Sequence, residues 1–306
     1  MAQDEFLRVC SMKLSVVIPC FNVSDTLGAQ LDALVQQQWD KLWETIIVDN
    51  GSTDRTLEIA RDYMERIPHL RIIEAYERKG AAYARNQGVS AAASESIAFC
   101  DADDEVASGW VAAMGTALEK YDLVGGGCEL KKLNPSWVIK SRLGGQEREM
   151  LADGLLHSKL SPDYPYTASC NLGVKREVHE KIGGFDETLF TCEDFEYCRQ
   201  AQLQGSGIKY IPEAIVHYRL RHSLVGIYKQ AYSYAHCQVF LYERYKAIGM
   251  SPRPLSKSVM AWRLLIKGLL QIRSKADLAV WFFSFGWRVG HEAGKKQYLI
   301  HAGIDQ

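Results

Sequence analysis

Four carboxylates crowd one short stretch of this chain. In ESIAFCDADDEV, the apolar run 97–100 leads straight into Asp101, Asp103, Asp104 and Glu105. Like charges this close disfavour one another's ionisation unless something positive lies between them. Alternation along an extended strand end sends Asp101 and Asp103 to the same side, where paired carboxylates can hold a hard divalent cation through oxygen. Asp104 and Glu105 read instead as helix-entry or surface acids. Three other stretches carry residues of the right kind. VDNGSTD sets Asp49 at a strand end, with Asn50-Gly51 as a turn and Ser52, Thr53 or Asp54 to cap the next helix. KGAAYARNQG puts Arg85 and Asn86 on a helix opening after Gly80, and Arg85 is either a guanidinium that orients the aspartates or contacts a diphosphate, or an ordinary surface cation. CEDFEYCRQ places Glu193 and Asp194 at a helix N-terminus, where the dipole favours carboxylates.

The elements that must position these residues follow a regular beat. LSVVIP, ETIIVDN, LRIIEA and SIAFCDAD read as strands apolar on both faces, and each runs into a helical pattern. Such repeats specify an α/β class with a mainly parallel central sheet flanked by helices. DLVGGGCELKKL adds a strand, and IKYIPEAIVHYRLR a last one. Ligands bind beyond the carboxyl ends of parallel strands, so Asn22, Asp49, Asp101 and Asp103 are expected to meet on one rim. Residues 134–165 read as a long irregular connection, the kind that forms lids or binding loops. From residue 223 the pattern is helical, over 224–247, 255–272 and 275–296, with Pro252 and Pro254 as a break.

Bulk composition narrows the classes. A length of 306 residues with 47% apolar content makes one large globular domain or a domain plus an extension. With 36 basic and 37 acidic residues the chain does not have the balance of a nucleic-acid binder. The charge is uneven, however: residues 205–306 hold 15 Lys and Arg against 5 Asp and Glu, which points to an anionic partner. The eight cysteines include no C-x-x-C pair, so they read as reduced thiols of a cytoplasmic protein and not as a zinc site. The N-terminal residues lack an apolar signal core, and the longest apolar stretch, residues 278–287, is too short to span a bilayer.

VVIPCFN, IIVDNGSTDRT, KGAAYARNQG, FCDADD, GGFDE and CEDFEYCRQAQLQG occur in the order and approximate spacing of family 2 glycosyltransferases, which the chain resembles over residues 13–220. That resemblance implies a GT-A (nucleotide-diphospho-sugar transferase) fold, with residues 1–222 as the catalytic domain and 223–306 as a C-terminal helical extension. It further implies an inverting transfer of sugar from a nucleotide-sugar donor to an acceptor hydroxyl, with Mn²⁺ or Mg²⁺ as cofactor. Asp103 would be a metal ligand, Asp101 a ribose and metal contact, and His217 either a third ligand or a structural hydrogen-bonder. Pro19, Phe21, Asn22 and Asp49 would line the base pocket. A carboxylate suits the N3–H of uracil, which favours UDP, and thymine presents the same edge. Arg85 would serve the diphosphate or the aspartates, Asp194 would be the general base, and Glu193 a sugar or acceptor contact.

The basic tail mixes Trp and Phe with Lys and Arg at near-helical spacing. It is either a helical hairpin packed on the domain or in a homodimer, or an interfacial helix at the inner face of a membrane, which would suit a lipid-linked acceptor over a free carbohydrate. Two rivals share the sheet. A nucleotidyltransferase would need a Gly-rich, Arg-containing loop where this chain has CFNVSDT, and a non-catalytic nucleotide-sugar binder would keep the same acids without turnover.

Overall fold

Leu14, Val16, Val17 and Ile18 are all wholly buried, which is what a strand covered on both faces requires. They belong to β1 (Leu14–Cys20), an inner strand of a nine-stranded sheet. The structure is a computed structural model that describes residues 12–142, 150–152, 154–158, 160–248 and 258–302. The chain divides into two compact units, one covering Met1–Glu129, Met150–Leu156 and Tyr164–Tyr218, the other Leu130–Glu149, His157–Asp163 and Arg219–Gln306.

In the first unit, strand and helix alternate as the sequence predicts: β1, α1 (Leu27–Val35), β2 (Trp43–Asp49), α2 (Thr56–Asp62), β3 (Leu70–Glu74), α3 (Ala81–Ala91) and β4 (Ser96–Phe99). There follow β5 (Glu105–Val106), α4 (Trp110–Leu118) and β6 (Leu123–Glu129). After α5 (Ser136–Arg142), which belongs to the second unit, come β7 (Met150–Ala152), β8 (Leu172–Lys175), α6 (Arg176–Ile182), α7 (Glu193–Leu203) and β9 (Ile208–His217). The sheet runs β3-β2-β1-β4-β8-β6-β9-β5, with β7 on β6. Alternate β1 residues feed two cores: Val16 and Ile18 pack with Leu31 and Trp110, and Val17 packs with Ala84, Phe185 and Tyr197.

Three strands that the sequence pattern did not reveal run against the rest. β8 lies antiparallel between β4 and β6, β7 is antiparallel to β6, and β5 is antiparallel to β9. Four residues, LGVK, are too few for periodicity to register, yet Leu172, Gly173 and Val174 are buried. Residues 134–165 are likewise not wholly irregular, since α5 and β7 fall within them. The residues 143–149 of that stretch, the N-terminal residues 1–11 and the Pro252–Pro254 break lie outside the described residues.

Asn171 ties this rearranged half together. Its amide donates to the Gly127 and Ala214 carbonyls at 2.8 and 2.9 Å, and its Oδ1 accepts from the Trp110 indole at 2.7 Å. Gly126 is what lets the strands come that close, because a Cβ there would stand 2.0 Å from the Ala214 carbonyl oxygen.

The second unit contains α5, α8 (Leu224–Tyr245), α9 (Ser258–Leu269) and α10 (Lys275–Ala302). Ser223 caps α8 by accepting from the Gly226 amide at 3.0 Å. On α10, Gly286 and Gly290 sit against the Tyr228 and Tyr232 carbonyls of α8, so that the two helices approach with no side chain between them there. The aromatic residues of α10 pack within the unit: Phe285 lies 5.5 Å from Tyr228 and stacks on Trp281 at 5.2 Å. No helix among the described residues is long and apolar enough to cross a membrane.

Replacing Asn171 by Ala would strand two buried carbonyls and an indole N–H. Chemical denaturation of Asn171→Ala is expected to show a loss of about 3 kcal/mol, and a change below about 1 kcal/mol would refute this role for Asn171.

Candidate active site

β1, β2, β3, β4, β6 and β9 all point the same way, so Cys20, Asp49, Glu74, Phe99, Glu129 and His217 end on one rim. The loops after β1 and β2 are laced together there. Asn22, in the left-handed region at φ 51°, accepts from the Thr53 amide at 2.8 Å, and its own amide donates to Ser52 Oγ at 3.0 Å. A non-glycine residue held at positive φ costs energy and marks a backbone fixed by its surroundings. The Ser24 amide donates to Asp54 at 3.0 Å, and Asp54 also accepts from the Thr56 amide at 3.0 Å and from its hydroxyl at 2.5 Å. Burial works against ionisation of Asp54, but these hydrogen bonds prevail and hold it down at about 2.

Pro19 is the penultimate residue of β1, opposite Val48, and Phe21 just past the strand is 48% exposed with Lys79 over its ring. Asp49 is buried, its carboxylate accepting from the Gly51 and Ser52 amides at 3.2 Å. Tyr76, half exposed, borders it; burial and then the charges of Asp49 and Glu74 push the phenol up. The sequence had given Tyr76 no part. Asn50 is structural, donating to the Ala75 and Arg78 carbonyls and accepting from the Gly80 amide.

Arg85 is not on the surface. Its guanidinium is 3% exposed, and it donates to Asp101 Oδ1 at 2.7 Å and to Glu193 Oε1 at 2.9 Å. Burial opposes its charge, but Asp101 and Glu193 outweigh burial and keep it ionised. Of the two functional readings of Arg85, this geometry matches the orienting one: two of its nitrogens are committed to carboxylates. Its guanidinium also lies 5.6 Å from the Phe185 ring centroid, and Phe185 stacks on Tyr197 at 4.1 Å. Asn86, the residue after Arg85, fastens the GGFDE stretch, donating to the Phe185 carbonyl and Glu187 at 2.9 Å and accepting from the Phe185 amide at 2.9 Å.

Asp104 corrects the reading of the acid cluster. Far from being a surface acid, it is 1% exposed, and it groups with Asp101 and Cys170, their ligand atoms lying within 4.8 Å of one another. Asp103 is half-buried on the same turn. Carboxylate oxygens suit Mn²⁺ or Mg²⁺, so this donor set fits a hard cation. Cys170 adds little to it: a hydrogen bond with Cys128, followed by burial, raises its thiol well above the usual range and keeps it protonated. His217 pairs across the sheet with Glu105 and Glu129, and its Nδ1 lies 2.6 Å from Glu129 Oε2. An imidazole held at one nitrogen by a carboxylate is oriented to offer the other. Glu129, the last residue of β6, could have been found by the strand-end rule that pointed to Asp49.

Asp194 is the second residue of α7, whose N-cap Cys192 is held at φ 61°. Burial and then the neighbouring Glu193 push the Asp194 carboxyl up to about 7, against hydrogen bonds from the Phe195 and Ser169 backbone. Rim, buried guanidinium and near-neutral acid thus belong to one unit of the chain. Arg219, Arg221 and His222 fall in the other unit, where His222 Nε2 lies 3.0 Å from Asn134 Oδ1.

The model described as "Glycosyl transferase family 2" matches residues 15–183, and a second, "Glycosyl transferase family group 2", matches residues 150–289. Over 128 residues the chain is 37% identical to the uncharacterized glycosyltransferase YibD of Escherichia coli, covering 42% of this chain and 35% of that one. It spans between about a third and two thirds of the length of such curated relatives. Among solved structures, the mannosyltransferase PcManGT from Pyrobaculum calidifontis, in complex with GDP-Man and Mn²⁺, aligns with a TM-score of 0.62 at 18% identity, over 92% of this chain and 87% of that one. S. aureus TarS 1-349 in complex with UDP aligns with a TM-score of 0.55 at 19% identity, over 94% and 92%. At these identities the likeness shows the fold, and that fold is GT-A.

Removing Arg85 would leave two carboxylates without their shared cation. Arg85→Ala is expected to lower the unfolding free energy by about 3 to 5 kcal/mol, with Arg85→Lys recovering only part because one ammonium cannot fork to both acids. A loss below about 1 kcal/mol in chemical denaturation would put both pairs among ordinary surface contacts.

Proposed function

The chain belongs to glycosyl transferase family 2, and on that premise we propose that it is an inverting, metal-dependent glycosyltransferase moving a sugar from a UDP-linked donor to an acceptor hydroxyl. The observation that carries this reading is the half-buried Asp194 carboxyl, raised to about 7 and linked through Glu193 and Arg85 to Asp101. A general base works best with a pKa near the operating pH. Asp194 takes the proton of the acceptor hydroxyl, which attacks opposite the departing diphosphate and so inverts the anomeric centre. Glu193, with one oxygen committed to Arg85, contacts sugar or acceptor through the other.

Asp101 and Asp103 would hold Mn²⁺ or Mg²⁺, with His217 as a further ligand through Nε2. When bound, such an ion stabilises the negative charge that develops on the leaving nucleoside diphosphate. The neighbours of like fold support a donor of this class, since TarS was solved with UDP and PcManGT with GDP-Man and Mn²⁺. Phe21, Pro19 and Asn22 form the base pocket, with Tyr76 beside Asp49. The Asp49 carboxylate has acceptor capacity beyond its two amides, enough for the N3–H of uracil. The acceptor is a carbohydrate or a lipid-linked sugar.

Hydrolysis of a panel of UDP-sugars with Mn²⁺ tests this. Asp194→Asn is expected to cut turnover by about 10²-fold or more, and Asp103→Ala to remove the metal dependence. No metal-dependent hydrolysis or transfer from any donor would sink the proposal. The pH profile has a set sign: Asp194 must be ionised, so kcat/KM falls about tenfold per unit below pH 7 and levels above it. Because the folded pKa lies above the unfolded value of 3.8, the stabilisation from protonated Asp194 is full below that value and gone once pH passes about 7. Asp194→Asn is therefore expected to melt above wild type at about pH 8, while being inactive. A lower melting temperature would contradict the assigned burial.

A further inference from the structure

The outward side of α9 carries apolar residues with no cover among the described residues. Met260 is 64% exposed, Leu264 61%, Ile266 64%, and Leu270 in the following turn 89%. The inward side is fixed, since Ala261 and Leu265 are buried and the Trp281 indole donates to the Leu265 carbonyl at 2.9 Å. At about 100° per residue, Ile266, Arg263, Lys267, Met260 and Leu264 follow one another around the opposite arc. Both cations are exposed there, interleaved with the apolar residues.

Residues 258–276 hold four cations, Arg263, Lys267, Arg273 and Lys275, and no acid. Leu264 also borders a cleft of about 630 Å³ whose charged lining residues are Lys140, Arg288 and Asp277, two cations to one acid. The aromatic residues of α10 play no part in this face, because Trp281 and Phe285 stack on each other within the unit. Long basic stems among exposed Leu, Ile and Met suit the boundary between water and lipid, where the stems lie along the apolar layer and the charges reach headgroup phosphates. A second copy fits less well. A two-fold contact through this arc would set Arg263 and Lys267 against the same cations.

We propose that α9 and the turn after it dock this protein on an anionic lipid surface, lying flat in the headgroup layer. This does not depend on the transferase reading. Sedimentation of the full chain with vesicles of phosphatidylcholine, with and without phosphatidylglycerol, tests it. Binding to the anionic vesicles is expected to exceed that to neutral ones by about tenfold or more and to weaken in high salt. The triple variant Leu264→Ser, Ile266→Ser, Leu270→Ser should lose binding, and Arg263→Gln with Lys267→Gln should lose the anionic preference, each with the melting temperature of wild type. Absence of vesicle binding, or binding that neither variant changes, overturns the proposal. So does self-association in sedimentation velocity that the triple variant abolishes without any vesicle binding, which would assign the face to a second copy.

Discussion

A single buried guanidinium holds the two halves of the site in register. Arg85 has almost no access to water, and a lone cation in such a place would cost several kcal/mol. Asp101 and Glu193 offset that cost together, and neither does so alone, because each leaves the other nitrogen unmatched. Asp101 follows the end of β4 by two residues, whereas Glu193 opens a helix 92 positions later in the sequence. One charge balance therefore fixes how the acid turn after β4 and the start of α7 face each other. Asp194 inherits its own position from this, being the residue next to Glu193. Its carboxyl is raised first by burial and then by the charge of that neighbour.

The remaining structure supplies what this arrangement needs. Six parallel strands bring their ends to one rim, and the antiparallel β8 widens the sheet so that Glu129 and His217 stand beside the acid turn. Strain is concentrated there as well: Asn22 and Cys192, two of the three non-glycine residues at positive φ among the described residues, flank the site. Each is held by hydrogen bonds or by a helix start, so loops at the rim gain the rigidity that positioned chemistry requires.

Much of this was legible in the sequence because the signal was long. β1 to β4 are apolar runs on a regular beat, and six short motifs in order named the family. Residue pairs that depend on tertiary contact were not legible. Nothing local distinguishes Arg85 from a surface arginine, since its burial comes from Phe185 and Glu193, which lie about a hundred residues away in the chain. Asp104 looked like a surface acid for the same reason, and β8 was hidden by being four residues long. In the tail the sequence blurred two helices with different duties. The aromatic residues of α10 pack inside their unit, and most of the tail's exposed large apolar residues lie on α9 and the turn after it.

The central claim is that Asp101 and Glu193 act through one guanidinium, and a double-mutant cycle reads that coupling directly. Asp101→Asn, Glu193→Gln and the double variant would be compared in kcat/KM for UDP-sugar hydrolysis with Mn²⁺. The account predicts that the combined loss departs from the product of the single losses by a coupling energy of about 1 to 3 kcal/mol. Losses that multiply within error would contradict it, and would make the two carboxylates independent neighbours of a buried arginine.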